Sequence, residues 1–220
     1  MQISVIIPTL NEADNIDQTL LNVVNQKPDE VVVVDADSSD ETAELAARYA
    51  RVINSQPGRS IQMNAGAQNS SGDILVFLHG DSLLPPNALE LIKSSILSGA
   101  SAGIFRLRFD YKHPLLAFSA LCTRVPAMNI CFGDRCIFCT RDAFDQAGGF
   151  PAIPIFEDVE LAKKLASQGK FVFLNTAVVT SSRRYRSHGV WRQQWSNLKL
   201  WTRYRLGQDP HQLAKEYRYD

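Results

Sequence analysis

The chain has 220 residues, is 45% hydrophobic and 21% charged, and carries 23 Lys/Arg against 23 Asp/Glu. That length and balance fit one sizeable globular core and exclude a disordered chain. A formal net charge of zero, with no recognisable nucleic-acid module, argues against nucleic acid as a partner.

Gln2 to Pro8 (QISVIIP) is predicted as a buried strand, and Asn11 and Asp14 offer caps for a helix running to about Asn25. Glu30 to Asp35 (EVVVVD) is a second strand, closed by ADSSD. Glu41 to Arg51 has helical apolar spacing, Val52 and Ile53 form a short strand, and Gly58 to Ser70 contains a further helix. Ile74 to Asp81 reads ILVFLHGD, an unbroken apolar run entering His79, Gly80 and Asp81. Such a run suits a strand buried on both faces of a parallel sheet. Ligands of open α/β sheets bind beyond the carboxyl ends of the strands, so the run aims a histidine and an aspartate at that edge. The competing reading is a strand and turn in which Asp81 caps the next helix, predicted from Asn87 to Ser98 after Pro85 and Pro86.

Strands alternating with helices over the first hundred residues argue for a parallel, Rossmann-like sheet. In the second half, Ala102 to Asp110 and Cys136 to Thr140 read as strands, and Pro114 to Met128 is apolar and helical or irregular. A helix and a GGF turn at Gly148 to Phe150 come next, then a helix from Glu157 to Gln168 and a strand from Lys170 to Val179. SSRRYRSHG then precedes a helix from Val190 to Tyr204. The expected organisation is one domain over residues 1–188 with a C-terminal amphipathic helical extension over 189–220. Within the domain, residues 1–100 form a nucleotide-binding half and 101–188 an acceptor half.

Charge is uneven along the chain. From Arg183 to Asp220 there are nine Lys/Arg and three Asp/Glu, whereas the preceding residues hold fourteen and twenty. A basic tail on an acidic body points to an anionic ligand or surface near the tail. No apolar stretch approaches the ~20 residues of a bilayer span, and the N-terminus, entering a strand at once, reads as lacking a signal peptide. The expected location is the cytoplasm. Trp191, Trp195, Leu198 and Trp201, with Arg192, Lys199, Arg203 and Arg205, suit either docking, on the chain's own core or in a homodimer, or peripheral contact with the inner membrane face through residues 190–205. Cys136 and Cys139 form C-x-x-C inside a strand, where residues three apart point to opposite faces, so reduced and buried thiols are expected rather than a zinc or redox pair.

Four groups of residues carry chemistry. Pro8, Thr9, Asn11 and Glu12 leave one strand beside Asp35, Asp37 and Asp40 leaving the next, where short polar groups and free N–H groups suit a base and ribose, or simply cap helices. Gly58 and Arg59 offer an anion clamp. Glu157 and Asp158 open a helix, where an acid serves as general base or complements the helix dipole. Arg183, Arg184, Arg186 and His188 suit a diphosphate, with His188 as a further metal ligand, or form a solvated basic loop.

SVIIPTLNE, VVVVDADSSDET, FLHGDSLLPP, GGFP and FEDVELAKKL stand in the order and spacing of family 2 glycosyltransferases of the GT-A fold, which the chain resembles from Ile3 to about His188. QMNAGA, FLHGD, the EDVEL helix and SSRRYRSHG resemble most a small bacterial subgroup associated with arsenosugar biosynthesis and radical-SAM/selenodomain proteins. The resemblance implies an α/β fold with a mixed, mainly parallel sheet, flanking helices and a C-terminal helical extension. It implies an inverting transfer of sugar from a nucleotide-diphosphate donor, foremost a UDP-sugar, to a small-molecule or lipid-linked acceptor. Pro8, Thr9 and Glu12 match nucleotide-contacting positions, Asp35 the first acid of D-D-G-S, and Arg59 a basic position facing uracil or phosphate. Asp81 matches the last acid of D-x-D, which binds Mg²⁺ or Mn²⁺; His188 lies where relatives supply a further contact. Asp158 matches the general base. Acceptor contacts fall in the second half, with Gly133, Asp134 and Glu157 as candidates.

Two departures stand out. Ala36 occupies the second acid position of D-D-G-S, with Asp37 as a substitute, and His79 occupies the first acid position of D-x-D. The rival readings are a nucleotidyltransferase on the same sheet, disfavoured by the lack of a glycine-rich triphosphate loop after the first strand, and a non-catalytic nucleotide-binding or membrane-surface adaptor.

Overall fold

The computed structural model describes residues 1–217. The chain runs β1 (Ile3–Thr9), α1 (Ala13–Val24), β2 (Glu30–Asp35), α2 (Thr42–Ala46), β3 (Arg51–Asn54), α3 (Arg59–Gln68) and β4 (Ile74–Phe77). It continues with β5 (Ser82–Leu83), α4 (Ala88–Leu97), β6 (Ala102–Phe109), α5 (Pro114–Cys122), and short 3₁₀ turns at Met128–Ile130 and Gly133–Arg135. It closes with β7 (Ile137–Thr140), α6 (Arg141–Ala147), α7 (Glu157–Gln168), β8 (Phe171–Thr180), α8 (Arg183–His188), α9 (Val190–Arg205) and α10 (Pro210–Ala214).

Among the described residues these strands form one sheet in the order β3-β2-β1-β4-β7-β6-β8-β5. β3, β2, β1 and β4 are mutually parallel, β7 is antiparallel to both of its neighbours, β6 and β8 are parallel, and β5 pairs antiparallel with β8. Side-chain alternation sorts the strands' apolar residues onto two faces. Ile3, Val5, Ile7, Ile74 and Val76 face the side covered by Ile16 and Leu20 of α1 and Ile92 of α4. Ile6, Leu75 and Phe77 face Met63 of α3, Phe144 of α6 and Leu161 of α7. Both faces are therefore covered, which is why these strands read as near-continuous apolar runs.

Several boundaries differ from the sequence reading, each for a pairing reason. The helix expected over Glu41 to Arg51 stops at Ala46, because Arg51 already pairs with Val32 in β3. The ILVFLHGD strand ends at Phe77; only Leu78 extends the ladder, through its N–H to the Ile6 carbonyl at 3.0 Å. Ser82 and Leu83 then pair with Thr180 and Val179 at the far end of the sheet, and Ser82 Oγ bonds Thr180 Oγ1 at 3.1 Å. RRYRSH, read as a basic stretch, is the helix α8.

Cys136 and Cys139 lie in the two opposite core clusters, and all four cysteines are free. α9 and α10 pack back onto the body, where Leu200 and Leu213 form a small core with Ile155 at the start of α7. Trp201 of α9 is fixed by its Nε1–H to the Asn129 carbonyl at 2.9 Å, whereas Trp191 and Trp195 remain about 70% exposed. No described helix is long and apolar enough to cross a membrane.

Candidate active site

The parallel register brings Thr9 opposite Asp35 at the carboxyl ends of β1 and β2, beside the end of β4. Helix α3 is pressed against this edge: a Cβ on Gly66 would lie 2.3 Å from Ile6 Cγ2 and 3.0 Å from Val34 Cγ2. Buried Gln62 of the same helix donates to the carbonyls of Thr9 (2.8 Å) and Val34 (2.9 Å), locking the two strand ends together. Asn64 accepts from the Phe150 N–H and donates to its carbonyl, both at 2.9 Å, which pins the GGF turn. The QMNAGA run thus has a mechanical task, which is to hold α3 and Arg59 at its N-terminus against the sheet edge.

The β4 exit places His79 and Asp81 in that edge. Gly80 sits between them with room for little else, since a Cβ there would lie 3.2 Å from Thr9 Cγ2. His79 Nε2 is buried without a hydrogen-bond partner. Burial, reinforced by the charge of Arg59, pushes the His79 pKa down to about 3, so the imidazole is neutral and keeps a lone pair. Burial raises the Asp81 pKa, with Ser82, Arg59 and Arg183 opposing that shift. Arg183 also holds Glu12 at 2.9 Å, tying the loop after β1 to the start of α8. Burial and then the charge of Asp81 raise the Glu12 pKa.

Across the same space stands the N-terminus of α7. Phe156, in the left-handed region at φ 66°, turns the chain so that Glu157 and Asp158 point inward, 1% and 6% exposed. Glu157 Oε1, Asp158 Oδ1 and Asp134 Oδ1 are all buried without partners. Burial, strengthened by Glu157, pushes the Asp158 pKa up to about 8, and burial pushes Asp134 up to about 6. Burial works against the charge of Arg59, but the Tyr217 hydroxyl, Glu157 and Asp158 more than offset it and hold Arg59 protonated. The 3₁₀ turn carrying Gly133 and Asp134 is anchored by Arg135. Its buried guanidinium donates to the carbonyls of Phe105 (2.9 Å), Ile130 (2.8 Å) and Thr123 (3.1 Å).

These groups line one cavity of about 570 Å³. Of the residues singled out in the sequence, it brings together Arg59, His79, Asp81, Gly133, Asp134, Glu157, Asp158 and Arg184. Pro8, Thr9, Glu12, Asp35, Asp37, Arg183, Arg186 and His188 do not line it. Asp35 is engaged internally, accepting from Thr9 Oγ1 (3.0 Å), Ser38 N (2.8 Å) and Ser38 Oγ (2.6 Å). Asp37 is exposed with φ 54°, and Ala36 is buried at 2% exposure. Arg186 pairs with Asp110 at 3.4 Å. His188 sets Nδ1 3.2 Å from the Arg184 carbonyl and lines a separate space with Arg192 and Glu216. Arg135 and Tyr217 were not foreseen: a buried arginine leaves no pattern in sequence, and Tyr217 sits in a polar C-terminal stretch without periodicity.

Among the described residues, no three His, Cys, Asp or Glu side chains gather into a metal-ligating group. His79 and Asp81 nevertheless share the cavity, one as a neutral imidazole with an unpartnered nitrogen, the other with a carboxyl group. Two protein ligands suit a cation that takes its remaining oxygens from phosphate and water.

Residues 4–114 match the family described as Glycosyl transferase family 2. The dolichol-phosphate mannosyltransferase of Pyrococcus furiosus is 33% identical over 114 residues, covering 47% of this chain and 32% of the relative. The chain therefore aligns with about a third of that relative's length. Among solved structures, the mannosyltransferase PcManGT from Pyrobaculum calidifontis, in complex with GDP-Man and Mn²⁺, is 24% identical with a TM-score of 0.68, covering 95% of this chain and 66% of that one. TarS 1–349 from S. aureus, in complex with UDP-GlcNAc, is 20% identical with a TM-score of 0.67, covering 83% and 59%.

Proposed function

The chain belongs to glycosyl transferase family 2, and from that membership we propose that it moves a sugar from a nucleotide-diphosphate donor to an acceptor hydroxyl with inversion at the anomeric carbon. The observation that carries this reading is the single cavity in which Arg59, His79 and Asp81 face Glu157 and Asp158. One wall is cationic with oxygen and imidazole ligands, suited to a diphosphate; the other carries buried carboxyls, suited to taking a proton. The neighbours' complexes with GDP-Man and UDP-GlcNAc support a nucleotide-sugar donor and leave the base open.

In this reading Asp158 accepts the acceptor's proton. The freed oxygen attacks the anomeric carbon opposite the leaving nucleotide, and the bond to the diphosphate oxygen breaks. Asp158 is raised in pKa by burial, so it is a strong base once ionised, and the nearby charge of Arg59 favours that ionised form. Pro8, Thr9, Glu12, Asp35 and Asp37 belong to the nucleotide side of the site. Asp35 acts there by fixing Thr9 and Ser38, and Ala36 removes one base contact. Arg183, held beside Glu12 and Asp81, and Arg184 on the cavity wall are the arginines placed to take the departing negative charge. Arg186, paired with Asp110, is less well placed for it.

Asp81 and His79 would hold Mn²⁺ or Mg²⁺, with His188 a step removed. When bound, the ion neutralises diphosphate charge as a Lewis acid. Membership of the small bacterial subgroup is proposed on QMNAGA, FLHGD and the EDVEL helix, together with a cytoplasmic location. Exposed Trp191 and Trp195 beside Arg192 support a contact of α9 with the inner membrane face or with a second copy; flotation with anionic liposomes distinguishes these. The donor reading is tested by calorimetric titration of UDP, GDP and their sugars with and without Mn²⁺. It fails if none binds, or if Asp81→Ala leaves binding unchanged.

A further inference from the structure

The cavity is built in two parts. Asp134, Glu157 and Asp158 meet at one end, and each keeps a buried carboxyl oxygen without a partner. Away from that end the lining is mainly apolar and aromatic, through Phe132, Ile155, Leu115, Phe118, Leu198 and Trp201, with Ser119, Gln194 and Asn197 interspersed. Phe118 is 63% and Leu198 47% exposed, so this apolar wall continues to the protein surface between α5 and α9. The two helices are joined there by Gln194 Nε2 donating to Ser119 Oγ at 2.7 Å. A sugar or peptide acceptor needs hydrogen-bonding groups along its whole length, and a mainly apolar wall with a few scattered amides and hydroxyls leaves most of those groups unpaired.

The acceptor end, where Asp134, Glu157 and Asp158 meet, presents carboxyls rather than cations to an incoming group. Arg135 is engaged by three backbone carbonyls. Arg59 faces Glu157 and Asp158, and Arg184 donates to the Tyr217 hydroxyl at 2.5 Å. A phosphate presented to Asp158 would meet the carboxyls of Asp134 and Glu157, and the guanidiniums of Arg59 and Arg184 are those the leaving diphosphate needs.

Resting on the proposed glycosyl transfer, we infer that the acceptor is an uncharged alcohol on an apolar body, a lipid or terpenoid alcohol, whose hydroxyl reaches Asp158 while its hydrocarbon lies along Phe132, Ile155 and Trp201. The acceptor oxygen forms the bond to the anomeric carbon, its proton passes to the Asp158 carboxylate, and the nucleoside diphosphate leaves with the bonding electrons.

Cys122 provides a probe that does not depend on donor chemistry. It lines the cavity and is exposed, while Cys131, Cys136 and Cys139 are buried. Alkylation of Cys122 by iodoacetamide is followed by mass spectrometry with farnesol, farnesyl phosphate or glucose present. Farnesol at about ten times its dissociation constant slows the reaction about tenfold, because only unliganded protein reacts; glucose leaves it unchanged and farnesyl phosphate protects less than farnesol. Equal or stronger protection by farnesyl phosphate overturns the uncharged hydroxyl, and no protection by farnesol at its solubility limit overturns the apolar body. Protection by farnesol with no nucleotide-sugar binding instead removes the transferase reading and leaves the alcohol site standing. Nucleotide-sugar binding without protection does the reverse.

Discussion

Gly133 and Asp158 are in contact through the one face of Gly133 that lacks a side chain: a Cβ built there would lie 2.5 Å from Asp158 Cγ and from both carboxylate oxygens. The Gly133 N–H also donates to Asp158. Gly133 is not in the left-handed region, so the requirement is space for the carboxyl and not backbone freedom. Gly133→Ala should fold and bind nucleotide as before, yet push the Asp158 carboxyl out of place. A misplacement of about 1 Å costs about 10²-fold in rate. Nucleotide release from the sugar nucleotide selected by titration should fall by that factor while its affinity stays constant. An unchanged rate would show that Asp158 need not sit where it does.

The raised pKa of Asp158 makes both turnover and stability depend on pH. With Asp158 in the proposed role of base, turnover needs its ionised form, so kcat/KM should rise through about pH 8 in the free protein. Stability moves the other way. The folded pKa lies above the unfolded value of 3.8, so the folded state holds the proton more tightly. The stability this contributes is fully present below that unfolded value and is lost as pH rises through about 8. His79, lowered to about 3, acts only below its unfolded value of 6.5 and does not interfere above pH 7. Between pH 7 and 9 the unliganded protein should lose on the order of 1 kcal/mol from this group. Asp158→Asn should flatten that loss, raise Tm at pH 9, and lower turnover by about 10²- to 10⁴-fold. Thermal denaturation of both proteins at the two pH values checks the stability half, and a variant as pH-sensitive as the parent would refute the assignment.

Much of the fold was readable because the strands obey one rule. VVVV and ILVF are buried on both faces, and the helices between them show apolar spacing, so the parallel half follows from local pattern. Asp35, Arg59, Asp81 and Asp158 were set around one edge by combining that edge with motif order; Arg59, Asp81 and Asp158 share one cavity, and Asp35 lies outside its lining. What pattern could not supply are long-range pairings. Ser82 joins Thr180 across 98 positions, Arg135 binds a carbonyl 30 residues away, and Tyr217 reaches Arg184 across 33. A two-residue strand and a buried cation carry no periodic signature. Nor do they show that α9 stacks Tyr204 on Phe156, ring centroids 4.3 Å apart, and so braces the turn that aims Asp158.

Arg135 should matter for stability more than any other charged residue in the second half of the chain. It is fully buried and satisfies carbonyls from β6, from the segment after α5 and from the first 3₁₀ turn. Removing it leaves three buried acceptors unpaired, at about 1–3 kcal/mol each. Arg135→Met should therefore lower the urea midpoint by an amount equivalent to at least about 3 kcal/mol. Arg135→Lys should not rescue it, because an ammonium cannot present the planar fork that reaches three directions. A midpoint in the lysine variant equal to that of the parent would mean that charge, and not geometry, is what the turn requires.

The exchange of an acid for His79 should be visible in metal preference. A neutral imidazole suits Mn²⁺ better than Mg²⁺, which favours oxygen ligands and near-ideal octahedral geometry. The parent protein should therefore bind nucleoside diphosphate more tightly with Mn²⁺ than with Mg²⁺. His79→Asp adds a carboxylate and a negative charge to the same position, and should narrow or reverse that preference. Asp81→Ala should abolish the metal-dependent part of binding altogether. Even groups that only orient a metal ligand are worth about 10-fold to 100-fold in affinity, so loss of a direct ligand should cost at least that. Titrating the diphosphate against both ions in all three proteins separates the contributions. If His79→Asp leaves the Mn²⁺-to-Mg²⁺ ratio where it was, while Asp81→Ala removes the metal effect, then His79 is not a ligand. Its unpartnered Nε2 would then face the sugar or the diphosphate oxygen directly, and Asp81 would be the protein's single contact to the ion.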